Sequence, residues 1–563
     1  MAAGVLASML LAAGPRLAWA DVITDVDNAL LNIIQNTSAS LIDGPPEVSR
    51  EIAMIDGAMA DAVNAASGSP YAPIAYSGGA VTGASAQAAA LGAAVTVMNS
   101  LYGSGSLYQQ FAGQTGASFY GASSPYKGAL IGPSAAQMAI VASDISAIST
   151  ELTELTDLGG GPAVTAGTTL GTSAGDAMIA AHANDGSTAA NLATLIPFVP
   201  PNEGQPGVYI PPAGRPAMTP TWGTVTPVGM SVATVSALVA QVPAPLPLTS
   251  QAYALQVLQT ECEGSATALP AAIEAVCVAN NFHPESSQEA AAALFWNDPG
   301  GTFQPPGHWL QIADNAAAGQ GFDLLRHAQE DALVGEALDD AGIAAWAVKY
   351  ADLLWRPITA IRDCSDWNSY ITAWAACDAT WASLINTPPH PDYLAGHPAF
   401  SGAAATVLAS FFGTDNIPFD STSNAYCNSG ATTADQYGNA IGCTLNGVFY
   451  SVSTPGALGC NNAPTEYGGF AVTDPNYNAS PLICPITEVF SSFSQASSGF
   501  LGAEFSRVVG GIHTPLAVEN ALALGDAIGD ALIPEPPVLP LLAGAMLALG
   551  LVRHRRLHTR AAA

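Results

Sequence analysis

The sequence predicts an all-α protein made of two helical halves. Apolar residues recur at helical spacing over most of the chain, long strand-like alternation is scarce, and one proline-rich stretch separates the two regions of helical pattern. Residues 50–65 carry the pattern most plainly, with Ile52, Ile55, Met59 and Val63 on one stripe. Ala-rich segments of similar spacing continue to residue 195, broken by Gly/Ser patches near 77–84, 103–106 and 159–175. Residues 197–247 hold twelve prolines, too many for a helix or a central strand, so an extended crossing is expected there. Helical spacing returns at Ser250 and runs to about 361. Residues 415–485 are rich in Asn, Gly, Ser and Thr and hold four cysteines, which reads as a long disulfide-stapled insertion. The resulting division is an N-terminal helical half at 21–196, a connection at 197–249, a second half at 250–531 that carries the chemistry, and terminal segments at 1–20 and 532–563.

Thirteen Lys and Arg stand against 44 Asp and Glu, for a formal charge of −31. So acidic a chain makes nucleic acid and anionic membrane poor partners, and a solvated acidic surface accounts for most of the carboxylates. Residues 1–20 read as a secretory signal: Val5 to Ala13 is apolar, and Ala18-Trp19-Ala20 fits a small-x-small cleavage site. Export permits disulfides. The eight cysteines, all at or after Cys262, allow 105 pairings, of which sequential local pairing is the simplest. No Cys-x-x-Cys occurs, so no zinc ribbon or thioredoxin-like centre is indicated. At the other end, Pro534-Glu535-Pro536, the apolar run Val538 to Val552 and Arg553, Arg555, Arg556 and Arg560 follow one another. The run is short for a stable span, which leaves a transient membrane contact or a plain anchor. This end resembles the PEP-CTERM sorting signal of Gram-negative bacteria. The resemblance implies processing by signal peptidase and an exosortase, and delivery to the cell surface or extracellular matrix.

Three segments carry candidate chemistry. The first is Lys349 to Pro357, in a chain with only two lysines. At about 100° per residue, the seven-residue step from Lys349 to Arg356 predicts both cations on one helix face, with Pro357 ending or bending the helix. The second is His390 to Pro398, where Pro398 before a small-residue run marks a helix start with Gly396 and His397 at its unpaired N–H groups. The third is Ser506 to Pro515. There Gly510-Gly511 breaks one helix, Thr514-Pro515 is a cap and first residue for the next, and Arg507 reaches in beside His513. Taken singly, each has a bland reading: a structural histidine, an arginine beside glycines, a solvated Lys/Arg helix face. Together they offer Lys349, Arg356, Arg507, two helix N-termini and two histidines to a tetrahedral oxyanion.

The set Lys-x6-Arg-Pro, Gly-His before a small-residue helix, and Ser-Arg-x5-His resembles the signature shared by vanadium-dependent haloperoxidases and phosphatidate-phosphatase-type acid phosphatases. Arg50 to Ala65, Asp185-Gly186, Trp222-Gly223, Phe295-Trp296, Pro305 to Trp309 and Asp340 to Trp346 resemble the bacterial haloperoxidase branch, so the likeness spans most of 21–530 outside 415–485. It implies helix bundles of the vanadium haloperoxidase type and a vanadate cofactor. Lys349, Arg356, Gly396 and Arg507 would bind the vanadate oxygens, with His513 as axial ligand. It further implies His397 as acid–base residue, Lys349 polarising hydrogen peroxide, and Trp346, His390 and Ala395 lining the pocket. A halide, with bromide or iodide favoured over chloride through His390, and an organic acceptor complete the implied partners. Two positions depart from the pattern. Leu394-Ala395 replaces Pro-Ser, removing a hydroxyl contact worth about 1.5–3 kcal/mol. Ala517 stands where an acid usually follows the last histidine by four residues, with Glu519 close by. Two alternatives stay open: a phosphatase using His513 as phosphoryl acceptor, and a non-catalytic surface or matrix protein that keeps the fold.

Overall fold

The computed structural model describes residues 22–155, 161–363, 378–423, 443–445, 448–450 and 486–533. The signal segment, the terminal segment from residue 534, most of the 415–485 insertion and Cys364, Cys377, Cys427, Cys460 and Cys484 lie outside them. Among the described residues no helix is long and apolar enough to cross a membrane.

The first half is α1 (Val22–Thr37), α2 (Pro45–Ala66), α3 (Ala86–Tyr102), the short α4 (Leu107–Phe111) and α5 (Gly116–Phe119), α6 (Ala135–Leu155), α7 (Gly161–His182) and α8 (Ser187–Thr194). Ile52, Ile55, Met59 and Val63 are fully buried, as their spacing predicts, but α2 is enclosed on every side. The proline-rich connection is not wholly extended. Its prolines leave Ser231 to Val242 free, and there α9 (Val232–Val239) forms, started by the Ser231 hydroxyl accepting from the Thr234 N–H.

The second half contains α10 (Gln251–Glu263), α11 (Ala271–Ala279), α12 (Ser287–Phe295), α13 (Gln304–Ala317), α14 (Leu324–Asp352), α15 (Pro357–Arg362) and α16 (Gly396–Phe412). Then come β1 (Phe419–Ser423), β2 (Cys443–Leu445), β3 (Val448–Tyr450), β4 (Ile486–Phe490), α17 (Phe493–Ser498), α18 (Phe505–Val509) and α19 (Pro515–Leu532). The strands form two antiparallel pairs, β1 with β4 and β2 with β3. Cys262 and Cys277 form a disulfide that ties α10 to α11, the first of the sequential local pairs.

One hydrophobic core runs through both halves, with α14 packed against α2 and α16. Helices α16 and α19 approach closely because small residues line their crossing. A Cβ on Gly525 would lie 2.2 Å from the Ala399 carbonyl oxygen, and one on Gly402 would lie 2.6 Å from that of Leu522. Only glycine admits so short a separation. It holds the starts of α16 and α19 near the C-terminal end of α14.

Candidate active site

Lys349 and Arg356 do converge, but not on one helix face as the seven-residue step predicts. Helix α14 stops at Asp352, where Leu353 takes a left-handed conformation (φ 51°). Beyond it the chain is held extended: the Tyr209 N–H donates to Leu353 O, the Trp355 N–H to Gly207 O and the Asp392 N–H to Leu354 O. Arg356 is the residue before Pro357 at the start of α15. Tertiary pairing with the connection and with the 390s segment, rather than Pro357, ends the helix. Both cations are buried, Lys349 completely.

Their partners come from the other two segments. Lys349 Nζ donates to Pro391 O at 2.9 Å. Arg356 Nε donates to His390 O at 2.5 Å and one Nη to Ile512 O at 2.7 Å. The same Nη lies 3.0 Å from His513 Nε2, and the other lies 2.9 Å from His390 Nδ1. Arg507, buried on α18, reaches His397 Nε2 at 3.3 Å and Ala293 O at 3.2 Å. The Trp346 ring lies 5.6 Å from Lys349 Nζ, and its centre 5.1 Å from that of His390. Gly396 opens α16 directly against Trp346: a Cβ there would stand 3.1 Å from the indole. Lys349, Arg356, Trp346, His390 and His513 share one buried nest with Gly396 against it, and Arg507 contacts the half-buried His397, while Ala395 is placed only by its N–H bond to Ala517 O.

Asp392 is the decisive group that residue spacing does not reveal. Its Oδ1 lies 2.7 Å from His513 Nδ1, and its Oδ2 accepts from the Thr514 hydroxyl at 2.8 Å. The carboxylate fixes Nδ1 as the protonated nitrogen and leaves the Nε2 lone pair facing the Arg356 guanidinium. Thr514 is therefore an N-cap in position only, since its hydroxyl serves Asp392 and does not close α19. Neither sequence candidate for this task performs it. Ala517 contributes only its carbonyl, which accepts from the Ala395 N–H, and Glu519 is exposed. A second acid also matters. Asp298 supports the charge of Arg507 and contacts His308 Nδ1 at 3.1 Å, while His308 Nε2 lies 2.8 Å from the Ser421 hydroxyl on β1.

Burial and like charge dominate the electrostatics of the nest. Burial pulls Lys349 well below its usual value and the Arg356 charge adds to this, against the pull of Asp392. Burial lowers Arg507 to about 9, with Asp298 opposing and Arg356 assisting. His513 is held down by burial and then by Arg356, Lys349, His390 and Arg507, and His397 by burial and then Arg507. Asp392 is raised to about 6 because burial outweighs its cationic neighbours. Each basic group is thus depressed first by loss of water and then by like charge. An anion among these groups offsets the like-charge repulsion.

A tetrahedral oxyanion suits these donors. The start of α16 has no side-chain cap because Ala395 offers none, and Trp346 Nε1 is buried without an acceptor. Gly396 keeps the helix start clear of side-chain bulk. The hydroxyl that the Pro-Ser pattern would add at residue 395 is absent, so the nest fits with one contact fewer.

Residues 330–535 match the VCPO second helical-bundle domain. The match covers the stretch that holds Lys349, Arg356, Asp392, His397, Arg507 and His513. A 146-residue stretch is 27% identical to the vanadium chloroperoxidase of Curvularia inaequalis, covering 23% of this chain and about a quarter of that protein (24%). The whole fold resembles a bacterial vanadium-dependent iodoperoxidase (TM-score 0.56, 19% identity, 91% of this chain and 95% of that one). It also resembles the holo form of a bacterial vanadium-dependent chloroperoxidase (TM-score 0.52, 14% identity, 87% and 92% covered). The haloperoxidase-type helical bundle expected from the sequence is the fold observed.

Proposed function

We propose that this protein is a vanadate-dependent peroxidase that oxidises halide with hydrogen peroxide. The observation that carries the reading is the joining of three buried cations to a histidine whose tautomer Asp392 fixes. When bound, vanadate supplies a Lewis acid that activates peroxide toward halide without changing oxidation state. Lys349, Arg356 and Arg507, with the N–H groups at Gly396 and His397, hold and orient the oxyanion. His513 offers the Nε2 lone pair that Asp392 directs. His397, kept neutral by burial and Arg507, accepts a proton on its ring and returns one. Trp346 and His390 exclude water from one wall, and the buried imidazole of His390 supports bromide or iodide over chloride.

A phosphatase is the second reading, since the same nest suits a phosphoryl group and His513 Nε2 is placed as a nucleophile. The names of the similar proteins favour the peroxidase. Bromination of a phenolic dye with bromide and peroxide, measured beside phosphomonoester hydrolysis with and without orthovanadate, separates the two. Vanadate-dependent bromination is expected, while hydrolysis that vanadate inhibits makes the chain a phosphatase. If neither activity appears and His397→Ala changes nothing, the non-catalytic reading stands. Export to the cell surface of a Gram-negative bacterium belongs to the same proposal, supported by Ala18-Trp19-Ala20 and the Pro534-to-Arg560 segment. The Cys262–Cys277 disulfide accords with an oxidising compartment.

A further inference from the structure

A second cluster of chemistry-bearing side chains sits where the two halves meet, apart from the oxyanion nest. Helices α13 and α14 bring Asp314, His327 and Asp331 together. His327 Nε2 lies 3.5 Å from Asp314 Oδ1 and 3.4 Å from Asp331 Oδ2. One ligand atom from each of the three lies within 4.8 Å of the others. Atoms sharing one ion at about 2.0–2.4 Å cannot stand farther apart than about 4.8 Å, so the three can close on a single cation.

Acids alone would not make this a site, but the opposite half adds an independent observation. Asp27 on α1 and Asp56 on α2 are completely buried, and their carboxyl groups have only each other as hydrogen-bond partner. Burial first, and then the charges of Asp314 and Asp331, hold both carboxyls well above their ordinary range. A buried pair of carboxyls ionises only at high cost unless a nearby cation neutralises it. A cleft of about 290 Å³, lined by Thr24, Asn28, Asn32, Gln311, Asp314 and Asn315, gives an approach to the cluster.

We propose that Asp314, His327 and Asp331 bind one divalent cation, with Asp27 and Asp56 supplying further negative charge from the first half, so that the ion fastens the two halves together. One imidazole among carboxylates selects a first-row ion such as zinc or manganese over calcium or magnesium, whose sites are all oxygen. The site takes no part in the peroxidase chemistry proposed above.

The test uses the full chain, stripped with chelator and titrated with Zn²⁺ and separately with Mn²⁺ at pH 7.5, by calorimetry and thermal melting. One ion per chain and a raised Tm are expected in the wild type and equally in His513→Ala. Asp314→Asn/Asp331→Asn should lose the metal-dependent rise in Tm. Its metal-free form should melt no lower than the metal-free wild type, since two buried like charges are gone. His327→Gln, a milder change, should weaken binding at least about tenfold. The proposal is overturned if neither ion binds or raises Tm, which makes shared protons the neutralising device. It is equally overturned if the double variant binds as well as the wild type, or if binding disappears in His513→Ala, which places the ion in the oxyanion nest.

Discussion

Replacing Asp392 with Asn separates orientation from charge at the centre of the nest. The change keeps the shape of the side chain but removes the carboxylate from a buried 2.7 Å contact with His513 Nδ1. A hydrogen bond to a charged group contributes about 1.5–3 kcal/mol. At about 1.4 kcal/mol per tenfold, vanadate affinity should fall roughly 10- to 150-fold, because the amide no longer holds the Nε2 lone pair in place. Phosphate bound only through the cations and N–H groups should behave differently. Asp392 opposes the fields of Lys349 and Arg356, so phosphate affinity should stay level or rise once that negative charge is gone. Calorimetric titration of each anion into the wild type and Asp392→Asn reads both quantities. If vanadate and phosphate tighten together, Asp392 is only a counter-charge; if neither moves, it does not position His513.

Ala395→Ser restores a hydroxyl at the uncapped start of α16, and should tighten vanadate binding at least about tenfold, read by the same titration. Cys262→Ser opens a disulfide spanning 15 residues, which costs about 3 kcal/mol of stability; Tm should fall by several degrees while bromination per folded molecule is unchanged. Stability should also fall as pH rises. Burial raises Asp43 and Asp339 to about 7 and Glu261 to about 8, above their unfolded values near 4. Groups with raised folded values contribute stability that is complete below pH of about 4 and lost as pH rises through about 7–8. Differential scanning calorimetry should therefore give a higher Tm at pH 5 than at pH 9, and a flat or rising profile would contradict the burial of these acids.

The helical halves were legible because Ala-rich segments of helical spacing dominate the chain, and α2 lies where Ile52, Ile55, Met59 and Val63 placed it. The nest was legible because Lys349, Arg356, Gly396, His397, Arg507 and His513 are types that oxyanion chemistry needs, in a chain with few cations. What spacing could not give was the path between them. Leu353 leaves the helix because backbone groups 145 or so residues earlier and 38 residues later pair with its neighbours, and no local pattern encodes that. Asp392 was hidden for the same reason. It stands in the 390–398 segment, yet only the approach of α19 brings His513 and Thr514 to it. Helix α9 was masked by prolines that flank it without entering it. Acidic composition suggested a solvated surface, and the structure places Asp27, Asp56, Asp331, Asp339 and Asp340 among many buried carboxylates.

The buried positive charge around His513 is there to hold a tetrahedral oxyanion. Titrating orthovanadate into the full chain by calorimetry, with phosphate as competitor and with Arg356→Ala and His513→Ala alongside, measures this directly. One vanadate per chain, displaced competitively by phosphate and lost in both variants, is the predicted result. No binding by the folded wild type, or binding that both substitutions leave unchanged, would contradict it.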